Sequence, residues 1–168
     1  MTAPATGGMR RGIRLGIDVG SVRVGVARSD RDGILATPVA TLNATDRAQQ
    51  LIDLRRIVDE YEPIEIVIGL PRHLSGGEGA AAAVVREYAG AVVTACPDVP
   101  VRLVDERLTT VTAHQALHSS GRPGRRHRAV VDQVAAVMIL QSALDQERST
   151  GEPAGEIVTR GDTEEARP

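Results

Sequence analysis

The chain has 168 residues, 42% of them hydrophobic, which suits one compact core and is short for two. Its net charge of −2 excludes bulk attraction to a polyanion, so any nucleic-acid binding must rest on local basic clusters. With no Phe, no Trp and two Tyr, it lacks the aromatic platforms of stacking single-strand readers; one cysteine, Cys96, excludes an internal disulfide or a multi-cysteine zinc site.

Residues 1–9 are small and polar and read as a disordered start, without the apolar run that a secretory signal needs. No later segment approaches membrane-spanning length, and the expectation is a soluble, cytoplasmic protein. Residues 10–18 lead into the apolar run Leu15, Ile17, Val19, and a second β-rich stretch over 22–29 follows at hairpin spacing. After a turn at 30–33, residues 34–42 form a third extended stretch, whose Pro38 marks an edge strand or a bulge. From Thr45 the period becomes helical through Leu51, Leu54, Val58 and Tyr61, until Pro63 stops it. The β-branched run 64–70 predicts a strand buried on both faces, followed by a loop over 72–79 and an alanine-rich helix to about Ala95. Residues 101–106 make the fifth strand, and Thr112 with Gln115 gives a capping-box start to a short helix ending near His118. An arginine-rich loop precedes the last helix, expected over 129–147, and 148–168 has the composition of a disordered acidic tail. The fold class is therefore α/β, one unit over 10–147, with a five-stranded mixed sheet of three antiparallel then two parallel strands flanked by helices.

Asp18 lies inside the apolar first strand, where a carboxylate needs a partner or a metal. Glu106 closes the fifth strand, and period two places it with Val104 on the face opposite Leu103 and Asp105. Asp132 falls in the first turn expected for the last helix, on a stripe with Ala135, Ala136, Ile139 and Ala143, so it points toward the core. If the first and fifth strands end near each other, the three carboxylates converge, and hard oxygen donors of this kind suit Mg²⁺ or Mn²⁺. Two ions ~4 Å apart can activate water and stabilise the leaving oxygen of a phosphodiester. Each acid alone also fits an ordinary role, in a salt bridge or beside a helix dipole.

All twenty basic residues are arginine, and Arg122, Arg125, Arg126 and Arg128 crowd with His127 just before Asp132, where they could grip phosphates flanking a scissile bond. Gly76 and Gly77, in the loop before the alanine-rich helix, could offer backbone N–H groups to a phosphate or simply make a flexible connection. His114 and His118 share helical spacing but lack a third ligand, and read as an exposed face. Arg23 and Arg107 neighbour the acids and either pair with them or contact substrate.

Four blocks carry a family resemblance: LGIDVGSVRVGVARSD from Leu15, IVIGLPRHLSGGEG from Ile66, VRLVDERLTT from Val101 and VVDQVAAVMILQSALD from Val130. In this order, over about residues 13–146, the chain resembles the YqgF, or RuvX, family of RNase H-like proteins, described as Holliday junction resolvases and as pre-ribosomal RNA nucleases. The resemblance implies an RNase H-like fold and an acidic site at Asp18, Glu106 and Asp132 holding two divalent ions. It also implies hydrolysis to a 5′-phosphate and a 3′-hydroxyl. Ser75 departs from the family, which commonly has an acidic residue before Gly76; the three ligand positions are unaffected. The expected partners are structured RNA, with 5′-end processing of pre-16S ribosomal RNA first, or branched DNA, acted on by a monomer or a homodimer. Two other classes fit part of the pattern. An ATP-binding protein of the actin and sugar-kinase kind shares the Asp-x-Gly-Ser loop at 18–21 but needs two large domains, and a non-catalytic nucleic-acid or transcription-factor binding module would keep the fold without turnover.

Overall fold

The structure, a computed structural model, describes residues 8–107 and 125–160, except the side chains of 125–129. The elements run β1 (Arg14–Val19), β2 (Arg23–Ser29), β3 (Ala36–Asn43), α1 (Arg47–Tyr61), β4 (Glu65–Leu70), α2 (Ala80–Ala95), β5 (Val101–Asp105), α3 (Arg125–Thr150) and β6 (Glu156–Ile157). They build one mixed sheet in the order β3-β2-β1-β4-β5-β6. β1 pairs antiparallel with β2 and parallel with β4, and β4 is parallel to β5. The three antiparallel strands and two parallel ones follow the sequence reading.

Local chemistry sets these boundaries. The Asp46 side chain accepts from the Gln49 backbone N–H and caps α1, and Glu62 ends the helix in a left-handed conformation just before Pro63. Pro38 lies on the edge strand β3, where its missing N–H costs no ladder bond, and the register shifts opposite it between Val26 and Ala27. β4 is buried along its whole length because it has strands on both sides and helices on both faces.

The sheet separates two apolar layers. On one face Leu15, Ile17, Val24 and Ile68 pack with Leu54 and Val58 of α1 and with Val85, Tyr88 and Val92 of α2. On the other, Ala27, Val67 and Val104 meet Ala136, Ile139, Leu140, Ala143 and Leu144 of α3. Glycines let this helix approach closely: a side-chain carbon at Gly16 would lie 2.6 Å from Leu140 Cβ and 3.0 Å from the Ala136 carbonyl oxygen.

Two expectations are corrected. α3 begins at Arg125 rather than Ala129, so Arg125, Arg126 and Arg128 belong to the helix and not to a loop. Arginine and alanine are good helix formers, and after Gly124 nothing in the sequence stops the helix from starting. The segment after 147 is not a loose tail over its described part, because α3 continues to Thr150 and Glu156–Ile157 adds a sixth, antiparallel strand on β5. Ala154 is buried against the α3-face core, the Val158 N–H donates to the Val101 carbonyl at 2.8 Å, and Arg86 bridges to Glu156 at 2.6 Å. The expected short helix near 112–118, with His114 and His118, lies outside the described residues, as do Arg122 and positions 161–168.

At the end of the sheet where β1 and β4 begin, a largely buried ion network ties four segments together. Arg10 donates to Glu147 at 2.8 Å and to Glu65 at 3.0 Å, Arg14 reaches Glu147 at 3.3 Å, and Arg102 reaches Glu65 at 3.1 Å. Burial pushes the Glu147 carboxyl up, but the guanidinium groups of Arg10 and Arg14 outweigh it and hold the group below its usual range.

Candidate active site

The carboxyl end of β1 lies at the opposite end of the strand from that network. Asp18 pairs across the hairpin with Gly25 of β2, which in turn pairs with Thr41 of β3. Continuing the Ile17↔Ile68 register by one residue brings Asp18 beside Gly69 of β4. Side chains alternate along strands, so Gly16 and Asp18 share the face covered by α3.

Both glycines flanking Asp18 make room for another acid. A side-chain carbon on Gly69 would stand 2.7 Å from Glu106 Oε2 and 2.6 Å from Ile139 Cδ1, so the Glu106 carboxylate occupies the space that β4 leaves there. Gly25 has no room for a side-chain carbon against the backbone carbonyl of Asp132, so α3 rests directly on β2 and carries Asp132 to the same place. The alternation expected along β5 is present: Leu103 faces the α1–α2 layer and Val104 the α3 layer. Asp132 sits about two turns into α3 rather than in its first turn, a consequence of the earlier helix start.

The electrostatics follow from this crowding. Asp18 is half-buried, and burial, then the negative charges of Glu106 and Asp132, push its carboxyl up to about 7. Burial, with the neighbouring Asp105 charge, also raises Glu106. Asp132 is held by an arginine: Arg23 Nε donates to Asp132 Oδ2 at 2.7 Å, with side chains 31% and 19% exposed. Arg107 instead turns to Asp105, donating from Nε at 2.8 Å and from its backbone N–H at 3.0 Å.

The donor set fits a small divalent cation in kind, since it consists of hard carboxylates on three different elements whose mutual repulsion a cation would relieve. Among the described residues no three His, Cys, Asp or Glu side chains close into a ligand cage, and one oxygen of Asp132 is committed to Arg23. Of the other positions read from the sequence, Gly76 takes a left-handed conformation and gives its N–H to the His73 carbonyl at 2.8 Å, while the Gly77 carbonyl accepts from His73. The Gly76 N–H is thereby spent on the turn. Arg125, Arg126 and Arg128 are placed by their backbone in the opening turn of α3.

Of the two roles that the sequence left open for Arg23, the structure shows pairing with an acid, and the partner is Asp132, 109 residues away. Sequence reasoning missed a cleft of about 650 Å³ beside Asp105, lined among others by Arg72, Leu74, Val104, Arg107, Gln146 and Glu156. No signal in the sequence marks the cleft, because one wall comes from β6, which is too short to show a strand pattern. Among the described residues no helix is long and apolar enough to cross a membrane.

Known proteins resemble this chain in sequence and in fold. The chain is 57% identical over 150 residues to a Streptomyces coelicolor protein named "Putative pre-16S rRNA nuclease", covering 89% of this chain and 90% of that one. It is 55% identical over 153 residues to a Nocardioides protein of the same name, covering 89% and 98%. Among solved structures, Thermus thermophilus RuvC in complex with a Holliday junction substrate matches with a TM-score of 0.56 at 14% identity, over 88% of this chain and 99% of that one, and so shares the fold. The family model described as "RuvX: Holliday junction resolvase" matches residues 12–146, and with relatives this similar the chain belongs to the RuvX family.

Proposed function

We propose that this protein is a metal-dependent nuclease that hydrolyses phosphodiester bonds in structured nucleic acid, and that its cellular task is 5′-end processing of pre-16S ribosomal RNA. The observation that carries the reading is the meeting of Asp18, Glu106 and Asp132 from β1, the end of β5 and α3, with Asp18 raised to about 7. A carboxylate so placed is costly to a fold unless positive charge meets it in the working state. The names of the curated relatives supply the substrate class.

Asp18, Glu106 and Asp132 would hold Mg²⁺ or Mn²⁺, as two ions, which supply an activated water and charge stabilisation at the scissile phosphate. The chain's own contribution is placement. The close approaches at Gly25 and Gly69 fix the spacing of the carboxylates, and the half-buried setting restricts the access of water to Asp18. Arg122, Arg125, Arg126 and Arg128, just before Asp132 in sequence, would bind phosphates on one side of the bond and set its register. Cleavage of a labelled pre-16S leader in Mg²⁺ by the full chain, lost in Asp18→Asn, tests the reading.

Resolution of a four-way DNA junction is the second reading, favoured by the description of the matching family model. Symmetric paired cuts require two active sites related by a two-fold axis, so a dimer in solution and cleavage of the junction in preference to the leader would select it. Binding of either substrate without turnover would select the non-catalytic module.

A further inference from the structure

We propose that Arg23 is a displaceable counter-cation: it holds Asp132 while the acidic site is empty of cations, and on loading is handed over to the phosphodiester of the substrate. The inference rests on the metal-site reading above and concerns how the site is filled. Arg23 opens β2 at the base of a tight turn, where its carbonyl accepts from the Gly20 N–H at 2.9 Å, and Nε reaches Asp132 Oδ2 at 2.7 Å. Arg23 and Gly25, two residues apart on one strand, share the α3 face, so the guanidinium stands beside the carboxylates.

A guanidinium does not lose its proton at any pH the protein meets, so it cannot step aside by becoming neutral. A divalent ion shared by Asp18 and Asp132 would compete for an oxygen that Arg23 already uses, and would leave two cationic groups side by side. Moving the arginine is feasible because its side chain is 31% exposed, whereas Asp132 is carried on a helix packed directly on the sheet. A phosphodiester beside the ion offers the released fork a bidentate anionic partner of the same charge as the carboxylate it leaves. Cation and phosphodiester should therefore bind cooperatively, with Arg23 as the element that couples them.

The test is a titration of the full chain with Mn²⁺ followed by electron paramagnetic resonance, with and without a saturating phosphorothioate-substituted RNA hairpin that resists cutting. Wild type, Arg23→Ala and the uncharged, hydrogen-bonding Arg23→Gln are compared, with circular dichroism to confirm that each variant is folded. Both variants should bind Mn²⁺ about five- to tenfold more tightly than wild type in the absence of RNA. The hairpin should tighten Mn²⁺ binding by the wild type and do so much less in either variant. Equal or weaker Mn²⁺ binding by the folded variants, or an unchanged effect of the hairpin, overturns the proposal and makes Arg23 a structural clamp for Asp132. Absence of saturable Mn²⁺ binding by wild type, or binding indifferent to Asp18→Asn, overturns the metal-site reading itself.

Discussion

Gly25 of β2 and Asp132 of α3 touch backbone to backbone, so the position of one carboxylate of the site depends on a missing side chain in another element. Gly25→Ala would force a methyl group against the Asp132 carbonyl, and neither partner is a flexible side chain that could yield. The expected cost is about 1–3 kcal/mol of stability, read as a lower denaturation midpoint. Mn²⁺ affinity should fall as well, because α3 must lift away from β2 at the residue that supplies a ligand. Full stability with unchanged Mn²⁺ binding would show that the helix shifts at no cost.

Asp18→Asn keeps the size of the side chain and removes its charge. Cleavage should drop by at least about a hundredfold while nucleic-acid affinity holds or rises, since repulsion of phosphate is reduced. Activity retained at ordinary Mg²⁺ in a preparation free of host nuclease would refute the mechanism.

The same substitution has an opposite effect on folding. In the folded, metal-free chain Asp18 binds its proton up to about pH 7, against 3.8 for the ordinary group, so the folded state holds the proton more tightly than the unfolded one. This group therefore lowers stability progressively as pH rises from about 4 to about 7. With metal chelated, Asp18→Asn should melt higher than wild type at pH 7 to 8, and the gain should vanish near pH 4. Melting curves in chelator across this range check the sign.

Arg125 and Arg126 open α3 beside the site in sequence. Replacing both by alanine should preserve the helix, alanine being the best helix former, and weaken RNA or junction binding regardless of sequence. The salt dependence should flatten by about 0.7–0.9 in slope for each phosphate that the variant no longer neutralises. Binding isotherms at several salt concentrations measure it, and identical slopes would remove these residues from the interface.

Truncation after Thr150 removes β6 and the buried Ala154. A destabilisation of about 1–3 kcal/mol is expected from the exposed edge of β5 and the apolar surface returned to water. A melting temperature equal to that of the full chain would mean that the segment merely rests on the sheet.

The strands and helices that form the site are readable in the sequence because their signals are local. Val104 and Glu106 fall on the α3 face by simple alternation, Pro38 marks the edge, and Pro63 marks the end of α1. What escapes is either short or distant. Two residues of β6, Glu156 and Ile157, are too few to show a period, and the anchoring Ala154 has no pattern of its own. The arginine cluster reads as a loop because of its charge density, although arginine favours helix. Gly25 and Gly69 look like ordinary strand glycines until α3 and Glu106 are laid over them, and which acid Arg23 pairs with is not fixed until the sheet and α3 meet.

The ion network around Glu147 lends α3 a mechanical character. Glu147 and Asp132 lie on the same helix fifteen residues apart, roughly 22 Å at 1.5 Å per residue. One end is tied by charge to Arg10 and Arg14, and the other rests on glycine, held chiefly by shape and by Arg23. Such a helix is a rod fixed at both ends, by charge at the far one and by backbone packing and an ion pair at the near one. The third carboxylate is therefore located twice over, by a charged anchor at one end of the rod and by contact without side chains at the other.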